Sequence, residues 1–219
     1  MSLPRRLPLA LALLALAGVP GGARAQVQPG GTCVLEFYPR DPSRPPATNA
    51  VRSPATGNYN VYVGGGALYK CQGQDVSLTA DSTEYIESAG VLYLIGNVHY
   101  REPRVRVDAA RMTYFQGEDR LLAEGSVQAV TPSGTTMRGP RVEYFRAVPA
   151  RPRARMVATG RPETVLVQQD SSGRPQEPVN IVSDRIVTEA DSLVYASGKV
   201  DITRTDLVAR GDSAFLDSG

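Results

Sequence analysis

The sequence predicts an all-β protein built of stacked β-repeats, and three observations carry the prediction. Apolar and polar residues alternate with a period of two. In RLLAEGSVQA, from Arg120 to Ala129, Leu121 and Ala123 share one parity while Arg120 and Glu124 share the other. A glycine with similar neighbours recurs along the chain, about 29 residues apart in the tightest repeats, within the range of stacked architectures. Polar or Gly/Pro clusters separate the repeats, and no stretch after the N-terminal leader sustains a helical period with caps.

The leader, residues 1–25, reads as a signal peptide. Arg5 and Arg6 precede an apolar run from Leu7 to Val19, and Ala23-Arg24-Ala25 forms a small-residue cleavage site before Gln26. The run is shorter than the roughly 20 residues that span a bilayer, so an uncleaved anchor is the lesser alternative. Cys33 lies well beyond the apolar run with no lipobox before it, which argues against a lipoprotein. Export predicts a periplasmic location. Removing Arg5, Arg6 and Arg24 from 24 basic residues leaves 21 against 22 acidic ones. A near-neutral chain lacks the positive excess that nucleic acid requires. Roughly 190 mature residues suffice for one domain with a sizeable core.

Residues 26–57 form a Pro-rich, less periodic N-terminal extension. In an oxidising compartment Cys33 and Cys71 predict a disulfide, with two free buried thiols as the alternative. Two cysteines and the single histidine, His99, fall short of a metal site.

The repeats occupy residues 58–219. In the first strand of each repeat the glycines Gly65, Gly96, Gly125, Gly160 and Gly198 align. Two residues before them stand Val63, Leu94, Ala123, Ala158 and Ala196; four before, Val61, Leu92, Leu121, Met156 and Val194. Two residues after stand Ala67, Val98, Val127, Pro162 and Val200. A second block follows each glycine strand, with Leu78, Val107, Met137, Ile181 and Ala209 on its inward side. Tyr85, Tyr114, Tyr144 and Phe215 are expected to mark a third short strand. The segments 147–155 and 168–178 read as inserted loops. One repeat cannot bury its own apolar face, whereas stacked neighbours can. The pattern stops at Gly219 just inside what would be a further repeat, which implies either a fragment or an open sheet edge.

These residues resemble the OstA/LptA-like family of lipopolysaccharide transport. The resemblance rests on Ala80-Asp81 to Tyr85 followed by Leu94-Ile95-Gly96-Asn97-Val98, and on Ser183-Asp184 followed by Ala196-Ser197-Gly198-Lys199-Val200. It also rests on Gly160-Arg161-Pro162 with Val165, Val167 and the polar turn 170–173, and it covers residues 57–219. Arg111 and Arg141 are read as standing where the motif's Asp would fall. The resemblance implies a V-shaped β-jellyroll whose two sheets enclose an apolar groove. It further implies acyl chains of lipopolysaccharide or a related glycolipid in that groove. Other OstA-like domains, or further copies of the chain, would join at the sheet edges, peripheral to the inner and outer membranes.

The inward parity selects the groove-lining candidates Leu78, Leu92, Leu94, Val98, Val107, Leu121, Val127, Met137, Ile181, Val194, Val200 and Ile202. Such a ladder is first of all a core. The small members Ala123, Ala158 and Ala196 are expected to leave room between the sheets. Arg138, Arg141, Arg146, Arg151, Arg153, Arg155 and Arg161 suit lipid phosphates by chemistry, although charge runs are usually solvated loops. Gly64-Gly65-Gly66 lacks the Lys-Ser/Thr and the helix of a phosphate loop. Arg210-Gly211-Asp212 falls within a repeat strand and is read as coincidence. No G-x-S-x-G occurs, His99 alternates outward, and the carboxylates are scattered with no evident buried pair. The expectation is a non-enzymatic chain with no cofactor, either a lipid carrier or a purely structural β-solenoid of the envelope.

Overall fold

The computed structural model describes residues 33–168, 172, 174, 176–190 and 192–217. The segment read as a signal peptide and the start of the segment read as an N-terminal extension lie outside them, as does the predicted polar turn at 170–173 apart from residue 172. Among the described residues fourteen strands form one sheet: β1 Leu35–Pro39, β2 Ala47–Arg52, β3 Tyr59–Cys71, β4 Ser77–Ile86, β5 Val91–Glu102, β6 Val105–Phe115 and β7 Arg120–Val130. They continue with β8 Thr136–Phe145, β9 Arg155–Thr159, β10 Glu163–Leu166, β11 Val179–Val182, β12 Arg185–Glu189, β13 Leu193–Arg204 and β14 Leu207–Asp217. No α-helix occurs among the described residues. The Pro-rich extension contributes β1 and β2, which both pair antiparallel with β3.

A line of bulges runs across the sheet. Between the rungs Ile95–Arg111 and Val98–Ala109, β5 carries one residue more than its neighbour β6. The same excess occurs in β3, β7 and β13. The extra residue comes from two successive left-handed positions: Gly96 (φ 77°) with Asn97 (φ 45°), then Gly125 with Ser126 and Gly198 with Lys199. Bulges bend a strand and sharpen its twist, and stacking them in register creases the whole sheet. Where Pro162 removes a ladder donor, the repeat is split into β9 and β10 around Gly160.

The crease also explains the Asp of the repeat. A Cβ at Gly96 would lie 2.7 Å from Asp81 Oδ2, and one at Gly198 would lie 2.6 Å from Asp184 Oδ2. The corresponding neighbours are Ala110 for Gly125, at 2.9 Å, and Pro140 for Gly160, at 2.5 Å. The place of the Asp is therefore taken by Ala110 and Pro140, not by Arg111 and Arg141. Those arginines sit one residue further on, where Arg141 pairs with Glu124 and Glu143 on the outside. The expectation slipped by one residue because the second strand of each repeat changes face at the crease.

That change of face overturns a second expectation. Tyr85, Tyr114, Tyr144 and Phe215 do not mark a third strand but end β4, β6, β8 and β14. In β4 the inward residues are Leu78 and Ala80 before the crease, then Thr83 and Tyr85 after it. A three-residue step at the crease replaces the usual two, so the interrupted periodicity imitates a strand break.

The crease divides the sheet into two arms. The first arm holds the halves from Val61 to Val63, Leu92 to Leu94 and Leu121 to Ala123, with β9 and β12. The second holds Ala67 to Tyr69, Val98 to Tyr100 and Val127 to Ala129, with β10 and β11. Their inner faces join in one core cluster. Tyr69 of the second arm meets Thr83 of the first through a hydroxyl–hydroxyl hydrogen bond of 2.8 Å, and the Tyr100 and Tyr144 rings stand 6.0 Å apart across the same divide. Cys33 and Cys71 form a disulfide that fastens the start of β1 to the end of β3.

Candidate lipid trough and its mouth

The inner face of the first arm is built of two rows. In one, strand pairing brings Tyr85, Leu92, Tyr114, Leu121, Tyr144 and Met156 side by side, continuing to Val194. In the other, Leu94, Met112, Ala123, Val142, Ala158 and Ala196 do the same. The second arm presents Leu78, Tyr100, Val107, Ala129 and Met137, then Ile181 and Ile202. The structure thus brings the predicted groove residues onto two facing surfaces. All twelve are buried except Ile202, which is half-buried against the core. Arg120 and Glu124 are on the opposite side, as the alternation predicts. Arg120 stacks over Phe115 at 3.7 Å, and Glu124 receives Arg141 at 3.1 Å.

The room expected beside the small residues is filled. Ala123 and Ala158 are fully buried, and Ala196 is nearly so. Between Ala129, Met137 and Leu166 on one arm and Met156, Thr188 and Val194 on the other lies a gap of about 20 Å³. A single water needs roughly 10–15 Å³, so the arms are closely packed at that point.

The mouth of the trough holds a polar cluster that the sequence reading missed. Arg146 follows β8 at the rim of the first arm and is 5 % exposed. It donates from Nη1 to Asp119 Oδ1 at 2.9 Å, from Nε to Glu102 Oε2 at 3.3 Å and from Nη2 to Gln74 Oε1 at 2.7 Å. Asp119 belongs to the same rim, whereas Glu102 and Gln74 belong to the rim opposite. Tyr144 also donates to Glu102 across the mouth, and Tyr100 donates to it from its own arm at 2.8 Å. Tyr114 donates to Asp119 at 3.1 Å. Nearby, Gln116 Nε2 reaches the Cys33 carbonyl across the mouth at 3.1 Å.

Burial pushes the Tyr100 and Tyr114 hydroxyls well above the ordinary phenol range, so both remain donors. Burial would lower Arg146, yet the groups around it, Tyr100 first, hold its pKa above the usual value. Two carboxylates and one guanidinium are thus buried together, which corrects two expectations. Arg146 does not lie in a solvated loop, and the carboxylates are not all scattered. The signal was the parity itself: Arg146 is two residues beyond inward Tyr144, and Glu102 two beyond inward Tyr100. Beside the cluster lies a cavity of about 220 Å³ lined by Gln74, Asp75, Glu102, Arg104, Arg146 and Ala147.

Most of the other arginines of the series are spent on protein groups. Arg155 pairs with Glu189, and Arg161 with Asp184 and Asp201. Arg151 lies over the Phe145 ring and donates to the Arg146 carbonyl at 3.1 Å. Arg138 and Arg153 are exposed. His99 sits on the outer face, its Nδ1 2.6 Å from Asp108 Oδ1. Among the described residues no cluster of His, Cys, Asp and Glu has the arrangement of a metal site. At the two ends of the stack, β2 is wholly exposed, and β14 presents Leu207, Val208 and Phe215 to solvent.

No family model and no curated protein matches the chain. Among solved structures, it is similar to LptH of Pseudomonas aeruginosa, described as the LptA-homologous periplasmic component of the lipopolysaccharide transport device. The similarity covers 49 % of this chain and 80 % of that one, at 18 % identity and a TM-score of 0.37.

Proposed function

We propose that the protein is a periplasmic lipid carrier or bridge that holds the acyl chains of lipopolysaccharide, or a related glycolipid, between the two arms of its folded sheet. The observation that carries this reading is the continuity of two facing apolar surfaces. Leu92, Leu121 and Val194 on one arm, and Leu78, Val107, Met137 and Ile181 on the other, face inward from β4 to β13. An ordinary β-sandwich closes such a core at both ends. Here the inner residues of β14, among them Ala214 and Leu216, are only half-buried. The repeat motifs and the predicted signal peptide support the same reading, and the disulfide fits an oxidising compartment. The exposed edges of β2 and β14 suit pairing with related transport domains or with further copies of this chain. The chain is read as non-catalytic.

The packed state of the trough favours one other reading, a structural β-solenoid with a dry core. Native mass spectrometry with lipid extraction of protein purified from an envelope fraction separates the two. Co-purifying glycolipid is the expected result. Lipid-free protein that also takes up none from lipopolysaccharide micelles would leave the dry solenoid.

A further inference from the structure

We propose that Thr164 is a recognition point inside the trough for an acyl chain that carries a hydroxyl group, so that the protein tells hydroxylated chains from plain ones. This rests on the carrier reading, which supplies the chain; the hydroxyl is read from the wall itself. On the inner face of the second arm, strand pairing seats Thr164 of β10 between Met137 of β8 and Ile181 of β11. Burial alternates along β10, so that Thr164 and Leu166 are buried while Glu163 and Val165 are half-buried on the outer side. Thr164 has no exposed surface. Its hydroxyl oxygen is buried and, among the described residues, has no hydrogen-bond partner.

The contrast lies within one row. Tyr69 and Tyr100 stand in the same row as Thr164, and both of their hydroxyls are satisfied. Tyr69 bonds to the Thr83 hydroxyl and Tyr100 donates to Glu102, each at 2.8 Å. An unpaired hydroxyl in an apolar wall is unfavourable, and valine would fill the same shape without that penalty. A ligand that brings the missing partner accounts for it.

The chemistry of the partner follows from the threonine. Its hydroxyl both donates and accepts. An ester or carboxylate oxygen only accepts, whereas a hydroxyl on the chain answers both. Depth points the same way. Leu166 ends β10 two residues beyond Thr164, roughly 7 Å closer to the rim. The group that meets Thr164 is therefore carried on the chain, inside the headgroup. The small gap between the arms is bordered by Met137 and Leu166, the neighbours of Thr164 across and along the sheet. Met137 and Met156 on its two sides reshape at low cost, so a chain that widens the gap runs past Thr164.

The test uses the mature chain and two probes that differ only in the hydroxyl, tetradecanoic acid and 3-hydroxytetradecanoic acid. Isothermal titration calorimetry below their micelle concentrations measures both affinities. Wild-type protein should bind the 3-hydroxy acid about five-fold more tightly, the worth of one neutral hydrogen bond. Thr164→Val should bind the two acids equally, and Thr164→Ser, which keeps the hydroxyl, should retain the preference. In lipid-free melts Thr164→Val should raise Tm by about 2–4 °C, because it removes an unpaired buried hydroxyl.

A Tm that fails to rise shows that the hydroxyl is paired at rest and overturns the proposal. A preference that survives in Thr164→Val overturns it too, as does an equal loss of affinity for both acids, which would assign the hydroxyl to the carboxyl head. Equal binding of the two acids by wild-type protein overturns hydroxyl recognition and leaves the carrier reading standing. Binding of neither acid defeats the carrier reading and the proposal with it, so the two failures are distinguishable.

Discussion

Arg146 and Arg141 stand five residues apart, and their surroundings give them opposite worth. Arg141 is half-exposed between Glu124 and Glu143, a setting in which ion pairs contribute about 0–1 kcal/mol. Arg146 is buried between Glu102 and Asp119. Removing one member of a buried set leaves uncompensated charge, at a cost of about 3–5 kcal/mol. Urea unfolding should therefore show Arg146→Met destabilised by about that amount, and Arg141→Met by less than about 1 kcal/mol. Equal effects would contradict the burial of Arg146. On the outer face, Asp108 accepts hydrogen bonds from His99 and Arg101. Burial alone would raise its pKa, but those bonds hold it below the ordinary carboxylate value. A depressed folded pKa stabilises above the unfolded value of about 3.9 and is lost as pH falls through the folded value. Asp108→Asn should thus lower stability slightly near neutral pH and have no effect well below pH ~3, as unfolding curves at the two pH values would show. Period-two parity selected residues that lie on the buried inner face, Ile202 being half-buried. Carried two residues further, to Glu102 and Arg146, it would also have found the buried polar cluster. A charged side chain at a strand end reads as a loop residue unless the partner that neutralises it is known, and here that partner comes from the end of β5, 44 residues away in sequence.

At the scale of the strand, the crease depends on a few glycines whose backbone no other residue adopts freely. Gly96→Ala and Gly198→Ala place a Cβ within 2.7 Å and 2.6 Å of Asp81 and Asp184 at positive φ. Each should cost more than about 1 kcal/mol. Gly117→Ala, in a turn where nothing lies within 4 Å of an added Cβ, should be close to neutral. Thermal melts of the three variants test the contrast, and a neutral Gly96→Ala would remove the explanation of the crease. Cys33→Ser with Cys71→Ser should cost about 2–4 kcal/mol, because the bridge closes a sequence separation of 38 residues and ties β1 to β3. Strand existence was legible because every glycine strand repeats the same alternation. The continuity of β4, β6 and β8 past the crease was not. A bulge shifts the partner's parity, and a parity shift within one strand looks in sequence like two strands. The strands β1 and β2 were hidden for another reason: a Pro-rich segment with little alternation still pairs when a long neighbour, β3, offers it an edge.

On the scale of the whole molecule, the sheet is one surface folded on itself, apolar inside and charged or aromatic outside. Near its N-terminal end it carries the Cys33–Cys71 disulfide and the buried Arg146 cluster. The sequence predicted the two apolar faces but not that they meet. Whether facing surfaces touch depends on the depth of every side chain at once, and alternation carries no depth. The central claim is that the inner face, and not the outer, meets acyl chains when the arms part. The most direct measurement puts a photo-crosslinking residue at Leu121 and, separately, at Glu124, and exposes each protein to lipopolysaccharide. Leu121 is fully buried on the inner face and Glu124 is half-exposed on the outer one. The account predicts lipid adducts at Leu121 and none at Glu124. Adducts at Glu124 equal to those at Leu121, or none at Leu121, would contradict it.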